Sequence, residues 1–167
     1  MISKKMTAET EMSLMINLQI AVSSAQIPDK DKFQLWADTA ADACACADKE
    51  LTIRLTDMKE SAELNSRYRN RASATNVLSF PYEDPPGVVT DMLGDLVICA
   101  PLVQHEADEQ HKSVEAHWAH LVVHGVLHLC GYDHIDAAQA DEMEALETSI
   151  ITGLGYSPPY DEQLLQQ

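Results

Sequence analysis

The sequence predicts an α/β (α+β-like) domain: a single mixed four-stranded sheet with about five helices around it. Four short runs carry the strand reading. Met15 to Val22 and Leu51 to Thr56 alternate apolar and polar residues, while Thr75 to Phe80 and Leu93 to Cys99 are β-rich runs stopped by Pro81 and Pro101. Stretches of helical periodicity before, between and after them lay helices against one sheet. The third and fourth runs are joined without a helix, so that pair is expected to be antiparallel and the sheet mixed.

Residues 1–13 are polar, charged and aperiodic, and a flexible lead-in is expected there; one domain follows over 14–159, with a loose tail at 160–167. Pro28 and Asp29 open a helix through about Ala47, with Phe33, Leu35, Trp36, Ala40 and Cys44 on its apolar side. Asp57-Met58-Lys59-Glu60 resembles a capping box that starts a short helix ending near Tyr68. Glu83-Asp84-Pro85-Pro86-Gly87 is a loop, and Pro101 to about Gln110 a short helix. Lys112 to Cys130 is a long helix with apolar residues around most of its circumference, hence buried. Ala137 to about Gly153 forms the last helix, acidic on one side and apolar at Met143, Leu146, Ile150 and Ile151.

A chain of 167 residues, 46% of them hydrophobic, suffices for one core without staples, and no apolar run approaches a membrane span. Lys4 and Lys5 precede apolar residues as in a signal peptide, but Glu9, Glu11, Asn17 and Gln19 interrupt the stretch, so a cytoplasmic protein is expected. Cys44, Cys46, Cys99 and Cys130 form no C-x-x-C pair and read as reduced, mostly buried small hydrophobes, with Cys130 on a different helix face from His128. The formal charge of −16 argues against wholesale binding to nucleic acid or an anionic membrane. Basic residues are scarce, and Arg67, Arg69 and Arg71 form the densest group; an anionic ligand is expected to meet this cluster first.

The buried helix carries a stripe of histidines. His117, His120, His124 and His128 fall within roughly a quarter-turn arc at 3.6 residues per turn. His124 and His128 lie one turn apart, able to grip one ion. Gly131 stands where a helix stops in a left-handed conformation, so the chain can double back and bring His134 to the same ion. Three nitrogen ligands with no evident fourth describe a catalytic zinc site with one open position. The upper two histidines fit ligand, supporting donor or satisfied core residue equally by spacing. The frame matches the H-x-x-x-H-x-x-G-x-x-H of metzincin proteases, except that Gly125 stands where those enzymes carry the glutamate base.

Four segments together resemble one family. Leu64-Asn65-Ser66-Arg67-Tyr68-Arg69, Thr75-Asn76-Val77-Leu78-Ser79-Phe80-Pro81, Leu93-Gly94-Asp95-Leu96-Val97-Ile98, and His120 through His134 look like the bacterial YbeY family of zinc-dependent endoribonucleases, over roughly Leu14 to Pro159. The resemblance implies a cytoplasmic, single-strand-specific endoribonuclease acting on the 3′ end of small-subunit (16S) ribosomal RNA and in ribosome quality control. It implies one Zn²⁺ on His124, His128 and His134, with Arg69 facing the metal cavity as the catalytic arginine. Its partners would be single-stranded RNA and the ribosome, with no membrane and no DNA. The run after Arg69, Asn70-Arg71-Ala72-Ser73-Ala74, lacks the lysine often found there, so RNA contact is expected to be local and salt-sensitive.

Zinc lowers the pKa of water and polarises a phosphoryl oxygen, and Arg69 offers a planar fork to the non-bridging oxygens. The sequence identifies no general base. His120, Asp133 and Asp136 are candidates to orient the ligands. Two alternatives stay open: a zinc hydrolase of another class, such as a peptidase, and a ribosome-assembly factor with a mainly structural zinc.

Overall fold

A computed structural model describes residues 13–23, 26–132 and 135–160. The expected lead-in and tail lie almost entirely outside the described residues, as do Asp133 and His134. In chain order the elements are β1 (Met15–Ile20), α1 (Lys30–Ala43), β2 (Glu50–Thr56), α2 (Met58–Arg69), β3 (Val77–Pro81), β4 (Met92–Cys99), α3 (Ala100–Glu109), α4 (Val114–Leu129) and α5 (Ala137–Gly153). The strands form one sheet in the order β1-β2-β4-β3. β1 pairs parallel with β2 and β2 with β4, while β3 runs antiparallel to β4, with Val77 opposite Ile98 and Pro81 opposite Gly94. The sheet is therefore mixed, and the antiparallel pair is the one joined without a helix. Pro81 is tolerated because β3 is an edge strand.

β4 is buried along nearly its whole length, as a strand with neighbours on both sides requires. Edge strand β1 is shorter than its alternation suggests, and Met15 and Ile20 are exposed at its ends. Helix α1 is also shorter than expected, and Leu35 points to solvent while Phe33 and Trp36 are fully buried. Phe33 meets Trp36 and Trp118 edge-on at centroid distances of 5.7 and 5.6 Å, locking α1 to α4.

At the start of α2 the Asp57 carboxylate accepts the Glu60 N–H at 2.8 Å, which is half of the expected capping box. The Glu60 carboxylate turns instead to Arg54 of β2, bidentate at 2.6 and 3.1 Å, because a guanidinium is a stronger donor than a backbone amide.

Helix α4 is the centre of the molecule, touching α1, α3, α5, β3 and β4. Ser113 caps its start by accepting the Ala116 N–H. Its end is a Schellman motif: Tyr132 N–H bonds to Leu127 O at 3.0 Å and Gly131 N–H to His128 O at 3.1 Å, with Gly131 at φ 104°. Midway, Gly125 lies against β4, where an added Cβ would sit 2.6 Å from Leu96 Cδ2. The position that is the glutamate base in metzincins thus faces the sheet here and serves close packing.

Candidate metal centre

Three elements wall a cavity of about 500 Å³: the C-terminal half of α4, edge strand β3 and the end of α2. Its lining includes Arg69, Asn76, Ser79, His124, His128 and Tyr132. The connection between α2 and β3 is pinned to the helix it leaves. Asn65, buried on α2, donates to Ser73 O at 2.7 Å, and the Ser61 hydroxyl bonds both the carbonyl and the N–H of Thr75. Asn70 closes α2 in the left-handed conformation (φ 57°) that asparagine tolerates. Arg69 consequently leaves the last helical turn beside β3, its Nη2 3.5 Å from Ser79 O, with most of its hydrogen-bonding capacity open to a ligand.

The histidine stripe divides by partner. His117 is an interior residue tied to α3: its Nε2 lies 2.8 Å from Glu106 Oε1, and that carboxylate also accepts from Asn76 Nδ2 at 3.0 Å. His120 Nε2 lies 2.7 Å from Glu147 Oε2 and His124 Nδ1 2.8 Å from Glu147 Oε1. The Tyr160 hydroxyl donates to Glu147 Oε2 at 2.8 Å. His124 Nε2 and His128 Nε2 approach to 3.1 Å.

Glu147 is fully buried on α5 and accepts three hydrogen bonds. Burial alone pushes its carboxyl up, but the bonds from His120 and His124 outweigh this and bring it down to about 2. For His120 burial is the larger influence and lowers the pKa against the pull of Glu147. The pair is therefore a neutral imidazole donating to an ionised carboxylate. The same bond from His124 Nδ1 fixes the tautomer whose Nε2 carries a lone pair toward the cavity.

That arrangement fits a metal ion. The 3.1 Å approach of His124 Nε2 and His128 Nε2 is one that a shared proton or a cation held by both satisfies. Nitrogens each about 2.0–2.1 Å from a shared tetrahedral zinc lie about 3.3 Å apart. His120, His124 and Glu147 also bring one donor atom each within 4.8 Å of one another, so the chain carries a residue group able to hold a metal. Glu147 already accepts ring N–H groups from both histidines of that group.

His120 reaches His124 through Glu147 and does not line the cavity. Asp136, expected beside the ligands, caps α5 by accepting Gln139 N–H at 2.8 Å. Asp133 and His134 lie outside the described residues. Glu147 went unnoticed in the sequence because α5 is acidic along much of its length. Only its place four residues after Met143, on that helix's apolar side, distinguishes it from the exposed Glu142 and Glu144. The cysteines depart from expectation too: only Cys99 is buried, while Cys44, Cys46 and Cys130 are half-buried and gather together.

The family described as Endoribonuclease YbeY matches residues 8–155. An Endoribonuclease YbeY of Cellvibrio japonicus (strain Ueda107) is 51% identical over 147 residues, covering 88% of this chain and 83% of that protein. Among solved structures, the solution structure of TM1509 from Thermotoga maritima shares the fold with a TM-score of 0.55 at 21% identity, covering 88% of this chain and 99% of the other. A mixed four-stranded sheet around a histidine-bearing central helix, together with a family match over nearly the whole chain, makes this protein a member of the Endoribonuclease YbeY family.

Proposed function

We propose that this chain is a zinc-dependent endoribonuclease that cleaves single-stranded RNA in the cavity between α2, β3 and α4. The observation that carries this reading is the convergence of Arg69 with His124 and His128 on one concavity. Phosphodiester cleavage requires a cation beside the reacting phosphate, and Arg69 supplies one on a molecule whose net charge of −16 repels RNA elsewhere. The family membership supports RNA as the substrate class. A cavity of about 500 Å³ has the size of a small-ligand site, suited to an unpaired nucleotide rather than a duplex.

His124, His128 and, across the Gly131 turn, His134 would hold the zinc. When bound, the ion supplies Lewis acidity at the phosphoryl oxygen and lowers the pKa of water. The chain's own residues do the remainder. Glu147 orients His124 and keeps its Nδ1 protonated. Arg69 holds the non-bridging oxygens and steadies the charge that grows on them. Among the described residues lining the cavity there is no carboxylate. A peptidase reading finds no proton acceptor among those described residues, and position 125 faces Leu96. The RNA 2′-hydroxyl remains available as an internal nucleophile.

The finer substrate in this reading is the 3′ end of small-subunit ribosomal RNA, with a part in ribosome quality control in the cytoplasm. It rests on the motif resemblance and on the charge. A strongly acidic protein with one cation at its cavity gains from a ribosomal partner that presents the RNA. Among the described residues no helix is long and apolar enough to cross a membrane.

The test incubates metal-free and zinc-loaded protein with labelled single-stranded RNA, a duplex of the same sequence and a peptide library, and measures zinc in the His124→Ala, His128→Ala and His134→Ala variants. Zinc-dependent cleavage of the single strand alone, with zinc diminished in each variant, is expected. Undiminished zinc in all three, or zinc-dependent peptide cleavage lost in His128→Ala, would overturn the reading.

A further inference from the structure

Helices α1 and α4 pack against each other, and both end in Schellman motifs. At the end of α1, Cys46 N–H bonds to Ala41 O at 2.9 Å and Ala45 N–H to Asp42 O at 3.4 Å. The left-handed position of this motif is Ala45, at φ 54°. Glycine would occupy it without the strain that a Cβ brings there. The turn nonetheless brings Cys46 back beside Cys44, the C-terminal cap of α1. Cys130 is the C-terminal cap of α4. The three sulfurs lie within 4.8 Å of one another, and all three residues are half-buried.

We infer that Cys44, Cys46 and Cys130 form a second metal site, a three-thiolate site for a thiophilic divalent ion such as zinc, with its fourth position left to an exogenous ligand. Sulfurs bound to one tetrahedral zinc at about 2.3 Å lie about 3.8 Å apart, within reach of the observed spacing by small side-chain rotations. Three soft donors and no oxygen select zinc-like ions over magnesium or calcium. The electrostatics point the same way. Two helix C-termini present partial negative charge to the cluster, which favours a cation there. An ion can reach Cys130 through a depression of about 250 Å³ shared with Gly131, Tyr132, Gln139 and Glu142.

The site is independent of the histidine centre, and its test separates the two. Full-length protein with its thiols kept reduced by a phosphine is titrated with Co²⁺, and thiolate-to-cobalt charge transfer is followed in the near ultraviolet. The band is expected in wild type, in Cys99→Ser and in His128→Ala, with loss to baseline when Cys44, Cys46 and Cys130 are all replaced by serine. A measurement on wild type alone guards against misfolded variants: Zn²⁺ should slow alkylation of Cys44, Cys46 and Cys130 relative to metal-free protein, as located by mass spectrometry. Absence of the band in reduced wild type, its persistence in the triple variant, or alkylation of the three thiols at unchanged rates with zinc present would overturn the inference.

Discussion

Replacing Glu147 tests how the metal centre is organised. In Glu147→Ala the Nε2–H of His120, the Nδ1–H of His124 and the Tyr160 hydroxyl lose their shared acceptor, at distances of 2.7, 2.8 and 2.8 Å in the native protein. Each charge-assisted bond is worth roughly 1.5–3 kcal/mol, and breaking a buried charged network costs roughly 3–5 kcal/mol in all. Metal-free protein is expected to lose stability by about that amount in urea unfolding. Zinc affinity, measured by competition with a chromophoric chelator, should fall about 10- to 100-fold because His124 is no longer held in its coordinating tautomer. Glu147→Gln is informative by contrast. With its amide oxygen toward His124 the ligand stays oriented, and the amide –NH2 then meets His120 and Tyr160, which can change tautomer and accept. Its loss of affinity should lie near the lower end of the range. A folded Glu147→Ala protein that binds zinc as tightly as wild type would refute this reasoning.

Gly125→Ala drives a methyl to 2.6 Å from Leu96 Cδ2 in a fully buried contact, and a loss of roughly 1–3 kcal/mol in thermal unfolding is expected; unchanged stability would mean that α4 is free to move off the sheet. For Glu106, burial pushes the carboxyl up, but hydrogen bonds from His117 and Asn76 hold it below its ordinary 4.5. The folded carboxyl therefore stays ionised to lower pH than the unfolded one, so its contribution is complete above about 4.5 and is lost as pH falls through the folded value. Urea midpoints of Glu106→Gln should decline less steeply than wild type below that pH, and parallel declines would count against the bond to His117.

The sheet was legible because each strand has a local cause: alternation in β1 and β2, a β-rich run before Pro81, and an apolar run in β4. The mixed character followed from a connection too short for a crossover. The metal helix was legible because 3.6-residue spacing places His124 and His128 on one face whatever surrounds them. What escaped depends on tertiary packing. Glu147 comes from α5, 23 residues after His124, and only the crossing of two helices decides which acidic residue turns inward. Asp136, one of the two carboxylates near His134, caps a helix through one of its oxygens, a common use of aspartate at such a position. The cysteine cluster needs both helix ends at the same level, and Ala45 carries no sign of its left-handed backbone.

The most direct measurement is the cleavage of labelled single-stranded RNA by folded, zinc-loaded Arg69→Ala and Arg69→Lys. Arg69 lines the cavity beside His124 and His128 and, among the described residues, makes one long hydrogen bond, to Ser79 O at 3.5 Å, so its removal should leave zinc content and thermal stability near wild type. If it steadies charge on the phosphate, Arg69→Ala should cleave roughly 100-fold more slowly or worse, as removal of other transition-state donors does. Arg69→Lys should recover little, since an ammonium cannot reproduce a planar two-point contact. Wild-type cleavage by zinc-loaded Arg69→Ala would contradict the placement of phosphate in this cavity.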